Sequence, residues 1–147
     1  MVSGSGDGTL RVRDVESGQT LKTLEGHSRG VSAVAVLDSR REIWGYSDGT
    51  LLVWDTGSGE TLQTGEGHSG RVSAVAVLDC RRVVSGAADG TLRVWDVESG
   101  KVACLFTLEA PVTAVTVTPG CRGIVVGDQS GRLHFFDFVE AASPPEP

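Results

Sequence analysis

Two histidine–aspartate pairs stand out by their spacing. His27 and Asp48 are 21 residues apart, and so are His68 and Asp89. An imidazole beside a carboxylate can be a general base with its orienting group, or the start of a metal site. Ser85, between His68 and Asp89, adds a hydroxyl to either reading. Against both stands the register: every candidate acid recurs at the same phase along the chain, and catalytic residues are rarely duplicated in that way. The pairs are therefore expected to hold the fold together, with no catalytic residue, metal or cofactor. Gly4-Ser5-Gly6-Asp7-Gly8 has the glycine content of a phosphate loop, but it lacks the Lys-Ser/Thr ending and opens a hairpin instead of a helix. Cys80, Cys104 and Cys121 make neither an even framework nor a C-x-x-C pair, and they read as reduced thiols.

What must position these residues is a repeat. Asp7-Gly8-Thr9-Leu10, Asp48-Gly49-Thr50-Leu51 and Asp89-Gly90-Thr91-Leu92 recur every 41 residues, and Ser130-Gly131-Arg132-Leu133 keeps the step. Around the third copy, residues 84–96 read as two short strands joined at Asp89-Gly90, which predicts a two-residue type I′ hairpin. A longer turn follows in the first three copies: Val15-Glu16-Ser17-Gly18, Thr56-Gly57-Ser58-Gly59 and Val97-Glu98-Ser99-Gly100. Asp14, Asp55 and Asp96 precede these turns, where a carboxylate can accept backbone N–H bonds. Val31, Val34 and Val36, interleaved with Ala33 and Ala35, do not alternate with polar residues, which predicts strands buried on both faces.

The repeat divides residues 1–139 into a partial unit 1–25, full units 26–66 and 67–107, and a degenerate partial unit 108–139. Residues 140–147 have the composition of a frayed terminus. Hydrophobic residues at 39% and charged residues at 22% fit a soluble globular protein. The net charge of −6 argues against a duplex or membrane-surface ligand, which would favour a basic face. No apolar run approaches the roughly 20 residues that span a bilayer, and no basic-then-apolar leader opens the chain. A cytoplasmic protein is expected.

Gly26-His27 and Gly67-His68 at the head of the full units, Trp54-Asp55 and Trp95-Asp96 near their ends, and the period itself resemble WD40 repeats over residues 1–139. The resemblance implies an all-β fold of about three and a half four-stranded antiparallel blades, an incomplete β-propeller and the C-terminal part of a larger protein. It also implies a hydrogen-bonded tetrad within a blade, made by the histidine of Gly-His, a Ser/Thr before the hairpin, the hairpin aspartate and the tryptophan of Trp-Asp. Unit three has all four in His68, Ser85, Asp89 and Trp95. Unit two keeps His27, Asp48 and Trp54, with Trp44 where the hydroxyl belongs. Unit one has Ser3 and Asp7, with Arg13 in place of the tryptophan. Unit four aligns Glu109, Val126, Ser130 and Phe136, so no network is expected there.

For function, the resemblance implies a non-catalytic protein–protein interaction scaffold, a fragment or short isoform of a larger signalling or assembly protein. The alternative is a propeller enzyme or metal-binding module with a site at the central channel. That would need unduplicated polar residues on the inner strands, which offer only Val, Ala, Ser and Thr. Arg40, Arg41, Arg81, Arg82 and Arg122 fall in the turns after the innermost strands and should form an arc on one face. Such an arc suits an acidic peptide or phosphate groups, with Glu16, Glu60 and Glu98 placed to neutralise part of it. Unit one lacks an inner strand and unit four an outer one, and Pro144 and Pro145 would spoil a late strand. The open ends should expose apolar side chains such as Val12 and Phe135. Bare edges beside an apolar face favour self-association, or complementation by missing blades.

Overall fold

The computed structural model describes residues 2–7, 9–25, 30–120 and 122–137. Its strands form four antiparallel sheets, each taken in chain order from its first strand to its last. Blade 1 has β1 (Val2–Gly4), β2 (Thr9–Arg13) and β3 (Thr20–Glu25). Blade 2 has β4 (Val31–Val36), β5 (Arg41–Tyr46), β6 (Leu51–Asp55) and β7 (Thr61–Gly65). Blade 3 has β8 (Val72–Val77), β9 (Arg82–Ala87), β10 (Thr91–Asp96) and β11 (Val102–Thr107). Blade 4 has β12 (Val112–Val117), β13 (Gly123–Asp128) and β14 (Leu133–Asp137). Residues 138–147, including the tail expected at 140–147, lie outside the described residues.

The hairpins differ from the expected two-residue form. Gly49 N–H donates to the Tyr46 carbonyl and Tyr46 N–H to the Thr50 carbonyl, which makes a three-residue loop. Gly49 takes the left-handed conformation at φ 91°, the place a three-residue hairpin reserves for glycine. One extra loop residue lets the preceding aspartate turn back on the chain. Asp48 and Asp89 each accept the N–H of the threonine two residues on, at 3.0 and 2.9 Å.

Side chains alternate between the two faces of each strand, so each blade carries two apolar faces and the core lies between blades. Trp44, Tyr46, Leu52 and Trp54 face blade 1 and pack with its Val2 and Val12. Ile43, Leu51 and Val53 face blade 3 and meet Val72, Val83 and Trp95. Val84, Leu92 and Val94 meet Val112, Ile124, Val126 and Phe136 of blade 4.

One contact recurs at every boundary. A Cβ on Gly4 would stand 2.5 Å from Val31 Cγ1, and one on Gly45 would stand 2.5 Å from Val72 Cγ1. A Cβ on Gly86 would collide with Val112 in the same way. The valine three residues on (Val34, Val75, Val115) closes on the same glycine in each case. The strands β1, β5 and β9 thus each offer a glycine socket, and the inner strand of the next blade fills it with two valines. Ser32 adds a polar tie at one boundary, its hydroxyl lying 3.1 Å from the Gly45 carbonyl and 2.6 Å from that of Val72.

Two expectations need correction. The inner strands β4, β8 and β12 are mostly half-buried or exposed, with Val36 57% exposed. Burial peaks instead on the second and third strands of blades 2 and 3, because only these lie fully between neighbours. Val12 is not on an open face, since its position in the strand turns it towards Trp44 and Tyr46 of blade 2. Among the described residues, Val15 and Leu21 are the large apolar side chains that blade 1 exposes, and Leu133 and Phe135 those of blade 4.

Candidate functional site

The structure brings His68, Ser85, Asp89 and Trp95 together inside blade 3. Trp95 Nε1–H donates to Ser85 Oγ at 2.6 Å, and Ser85 Oγ lies 2.6 Å from His68 Nε2. On its other side the ring reaches Thr91 Oγ1 at 2.9 Å and Asp89 Oδ2 at 3.3 Å through Nδ1. Thr91 Oγ1 in turn donates to Asp89 Oδ1 at 2.6 Å. Thr91 is a fifth member, and its signal was present in the repeated Asp-Gly-Thr. An ionised carboxylate only accepts, so Nδ1 carries the ring proton and Nε2 accepts from Ser85.

The electrostatics follow from burial. Burial opposes the charge on Asp89, yet hydrogen bonds from Thr91 and the Ser69 N–H, with His68 beside it, hold its carboxyl down at about 2. Burial pushes His68 below its usual range, and the attraction of Asp89 does not fully offset it. The ring is therefore neutral at pH 7. Its side chain is fully buried and so is Ser85, so neither the imidazole nor the serine hydroxyl meets solvent. What this arrangement does is satisfy buried polar groups and fix the hairpin against the entering loop.

Blade 2 answers the same position with aromatics. Trp44 replaces the hydroxyl and stacks on Trp54 with ring centroids 4.7 Å apart. Its indole N–H donates to Glu42 Oε2 at 3.1 Å, and Glu42 is only 4% exposed. Burial raises the Glu42 pKa, and the Trp44 bond compensates in part. Tyr46 is pushed up to about 12 by burial, against a hydrogen bond from Trp54 and with the charge of Asp48 adding to the rise. His27 lies outside the described residues.

Blade 4, where no network was expected, builds a different one. Its acid is Asp128, at the end of β13 and two residues before the aligned Ser130. Asp128 Oδ2 lies 2.8 Å from His134 Nε2, while Oδ1 accepts from Ser130 N–H, Ser130 Oγ and Arg132 N–H at 2.9, 2.5 and 3.1 Å. The His134 and Ser130 bonds hold the Asp128 carboxyl well below the carboxylate range. Alignment by repeat phase missed it because both partners had moved: the carboxylate along the hairpin, and the imidazole from the loop to β14.

The arginine-bearing turns of blades 2 and 3 touch, since Arg41 reaches the Cys80 carbonyl at 3.5 Å. Four of the five arginines already hold carboxylates. Arg41 pairs with Asp38 at 2.7 Å and Arg82 with Asp79 at 2.6 Å. Arg40 pairs with Asp55 at 3.2 Å, and Arg81 with Glu98 at 3.3 Å and Asp96 at 3.7 Å. The neutralising groups are thus mainly the turn aspartates; of the glutamates expected there, Glu98 is the one seen pairing. Arg122 is exposed. Among the described residues, no group of three or more His, Cys, Asp or Glu side chains could hold a metal ion.

The fold and the tetrad define a class, and comparison with known proteins agrees with it. The family model described as "WD domain, G-beta repeat" matches residues 18–55, and "TEP-1 C-terminal beta-propeller" matches residues 68–138. Among solved structures, the computationally designed Ika4 protein is 34% identical, with a TM-score of 0.81, covering 94% of this chain and 84% of that one. The computationally designed Ika8 protein is 35% identical with a TM-score of 0.80, covering 93% of this chain and 42% of that one. The chain therefore spans less than half the length of Ika8. No curated protein matches it. The chain belongs to the WD40 β-propeller family. Propeller domains of this family generally mediate protein–protein interaction and are typically non-catalytic.

Proposed function

We propose that this chain is a non-catalytic protein–protein interaction scaffold of a larger signalling or assembly system, and that it works in association, through blades supplied by another polypeptide or a second copy. The observation that carries this reading is the far side of blade 4. Leu133 and Phe135 are 64% and 71% exposed there, at the phase where Leu51 and Val53 of blade 2 are buried by the next blade. Gly127 continues the series of sockets, and a Cβ on it would meet nothing closer than Thr113 Oγ1 at 3.6 Å. Contiguous exposed apolar surface of this kind marks an interaction site. The arginine arc is the weaker candidate, since four of its five cations already have partners on the molecule.

The test is affinity capture from cell extract with the chain and with a Leu133→Asp/Phe135→Asp variant, read by quantitative mass spectrometry. The reading expects a set of proteins retained by the chain and lost with the variant. Equal retention by the two would contradict it.

A further inference from the structure

Blade 4 has three strands among the described residues. In blades 1 to 3 the strands β2, β6 and β10 are covered on their outer edges by β3, β7 and β11, whereas β14 pairs only with β13 among the described residues. The phase of the free edge can be read from its neighbours. In blade 2 Asp55 N–H bonds the Glu60 carbonyl, and in blade 3 Asp96 N–H bonds that of Lys101. The matching residues of β14 are Leu133, Phe135 and Asp137, so their backbone groups point away from β13, where no other described strand lies. An extended segment is the one structure that satisfies such a row of donors and acceptors.

A groove of about 440 Å³ runs beside this edge. Val94, Cys104 and Phe106 of blade 3 form one wall, and Ile124, Phe135 and Phe136 of blade 4 the other. Phe106 and Phe136 meet across its floor with centroids 4.9 Å apart. Blade 3 shows which residues a fourth strand turns towards the preceding blade. Val102 pairs with Trp95 and Leu105 with Arg93, on the side that faces blade 2. Moved on by one repeat, these two positions lie beside Phe136 and His134 and project over the groove.

Residues 138–147 lie outside the described residues, and this stretch carries three prolines. The outer strand starts six residues after the turn aspartate in blades 1 to 3, at Thr20, Thr61 and Val102. Six residues after Asp137 comes Ser143, followed by Pro144, Pro145, Glu146 and Pro147. Proline has no N–H to give a ladder.

We propose that the β14 edge and its groove form a strand-acceptor slot, filled by an extended segment of a partner polypeptide. That segment pairs antiparallel with Leu133–Asp137 and turns aliphatic side chains towards Phe106 and Phe136. The proposal rests on the reading of the chain as an interaction scaffold, and names one of its surfaces. Main-chain pairing supplies the affinity, and the two aliphatic positions select the partner.

The probe is a fluorescein-labelled peptide with the sequence of Lys101–Thr107 carrying Cys104→Ser, which places valine and leucine over the groove. Fluorescence anisotropy against the full chain should rise to saturation. N-methylation of the peptide at the positions of residues 104 and 106, whose amides face the third strand in blade 3, should weaken binding at least about tenfold. Phe135→Pro in the chain removes an outward N–H and spares the β13 ladder, and it should weaken binding to a similar degree. Circular dichroism checks that this variant keeps its fold, and the methylated peptide needs no variant at all. Equal binding of the methylated peptide, or no binding to the full chain, would overturn the proposal. Binding that appears only after removal of residues 140–147 would make the tail the occupant and overturn it as well. Failure here with success of the extract capture would leave the scaffold reading standing without this slot.

Discussion

Gly86 and Val112 are fitted to each other across the boundary between blades 3 and 4: the valine occupies the space where any side chain on residue 86 would stand. The same fit joins Gly45 to Val72 and Gly4 to Val31, whereas Gly127 has no such partner among the described residues. Alanine at position 45 or 86 must push the neighbouring inner strand away, and overpacking of this kind costs about 1–3 kcal/mol. Gly127→Ala should leave the stability of the isolated chain within about 0.5 kcal/mol. Urea denaturation of the three variants checks this, and equal losses at all three sites would show that the sockets do not hold the blades.

The blades should also rank by what stands at the tryptophan position. Trp95 is buried between blades 2 and 3 and donates to Ser85, so Trp95→Ala should cost about 3–5 kcal/mol. Arg13 holds the matching place in blade 1, where no blade packs against the outer face among the described residues, and Arg13→Ala should cost far less. Thermal unfolding of the two variants, side by side, decides the ranking.

Acid should loosen blade 3 in two stages. The His68 pKa is lowered, so the unfolded chain binds that proton more readily, and stability starts to fall as pH drops below the unfolded value near 6.5. Asp89, at about 2 against an ordinary 3.8, contributes stability that is complete above about pH 4 and lost as pH falls through about 2. That shift corresponds to about 2 kcal/mol. Unfolding free energies measured from pH 8 to pH 2 should show both losses, and Asp89→Ala should flatten the lower one.

Glu42 should act with the opposite sign. Its folded pKa is raised, so its destabilising effect grows as pH rises through that value. Glu42→Gln keeps an acceptor for the Trp44 N–H and removes the buried charge. It should raise the melting temperature at pH 8 and change it little at pH 4. A lower melting temperature at pH 8 alone would mean that the charge itself is needed by a partner group.

The repeat was legible because its turn chemistry is local. Aspartates at 14, 55 and 96 and the period of Asp-Gly determine where the chain reverses, whatever the blades pack against. The blade 3 tetrad was legible for the same reason, since all its members keep their phase. What hid was set by packing partners. Trp44 and Glu42 make sense only beside Trp54 and blade 1, and Asp128 with His134 preserves the bonding function of a site while moving both residues. The hairpin type was misread because Asp-Gly suits both a two-residue turn and a three-residue loop ending in glycine. Only the bond from Tyr46 N–H to Thr50 tells them apart. The arginine arc was visible as a run of charge, but two of its partners, Asp55 and Asp96, come from the ends of the third strands and not from the arginines' own turns.

The most direct test of the open-ended scaffold is the mass of the chain in solution. Multi-angle light scattering should be run on freshly purified protein across a dilution series at micromolar concentration, beside the Leu133→Asp/Phe135→Asp variant. The account predicts species heavier than the 15.4 kDa monomer for the chain, dissociating on dilution, and a shift towards monomer in the variant. A single 15.4 kDa species for the unmodified chain at every concentration would contradict it.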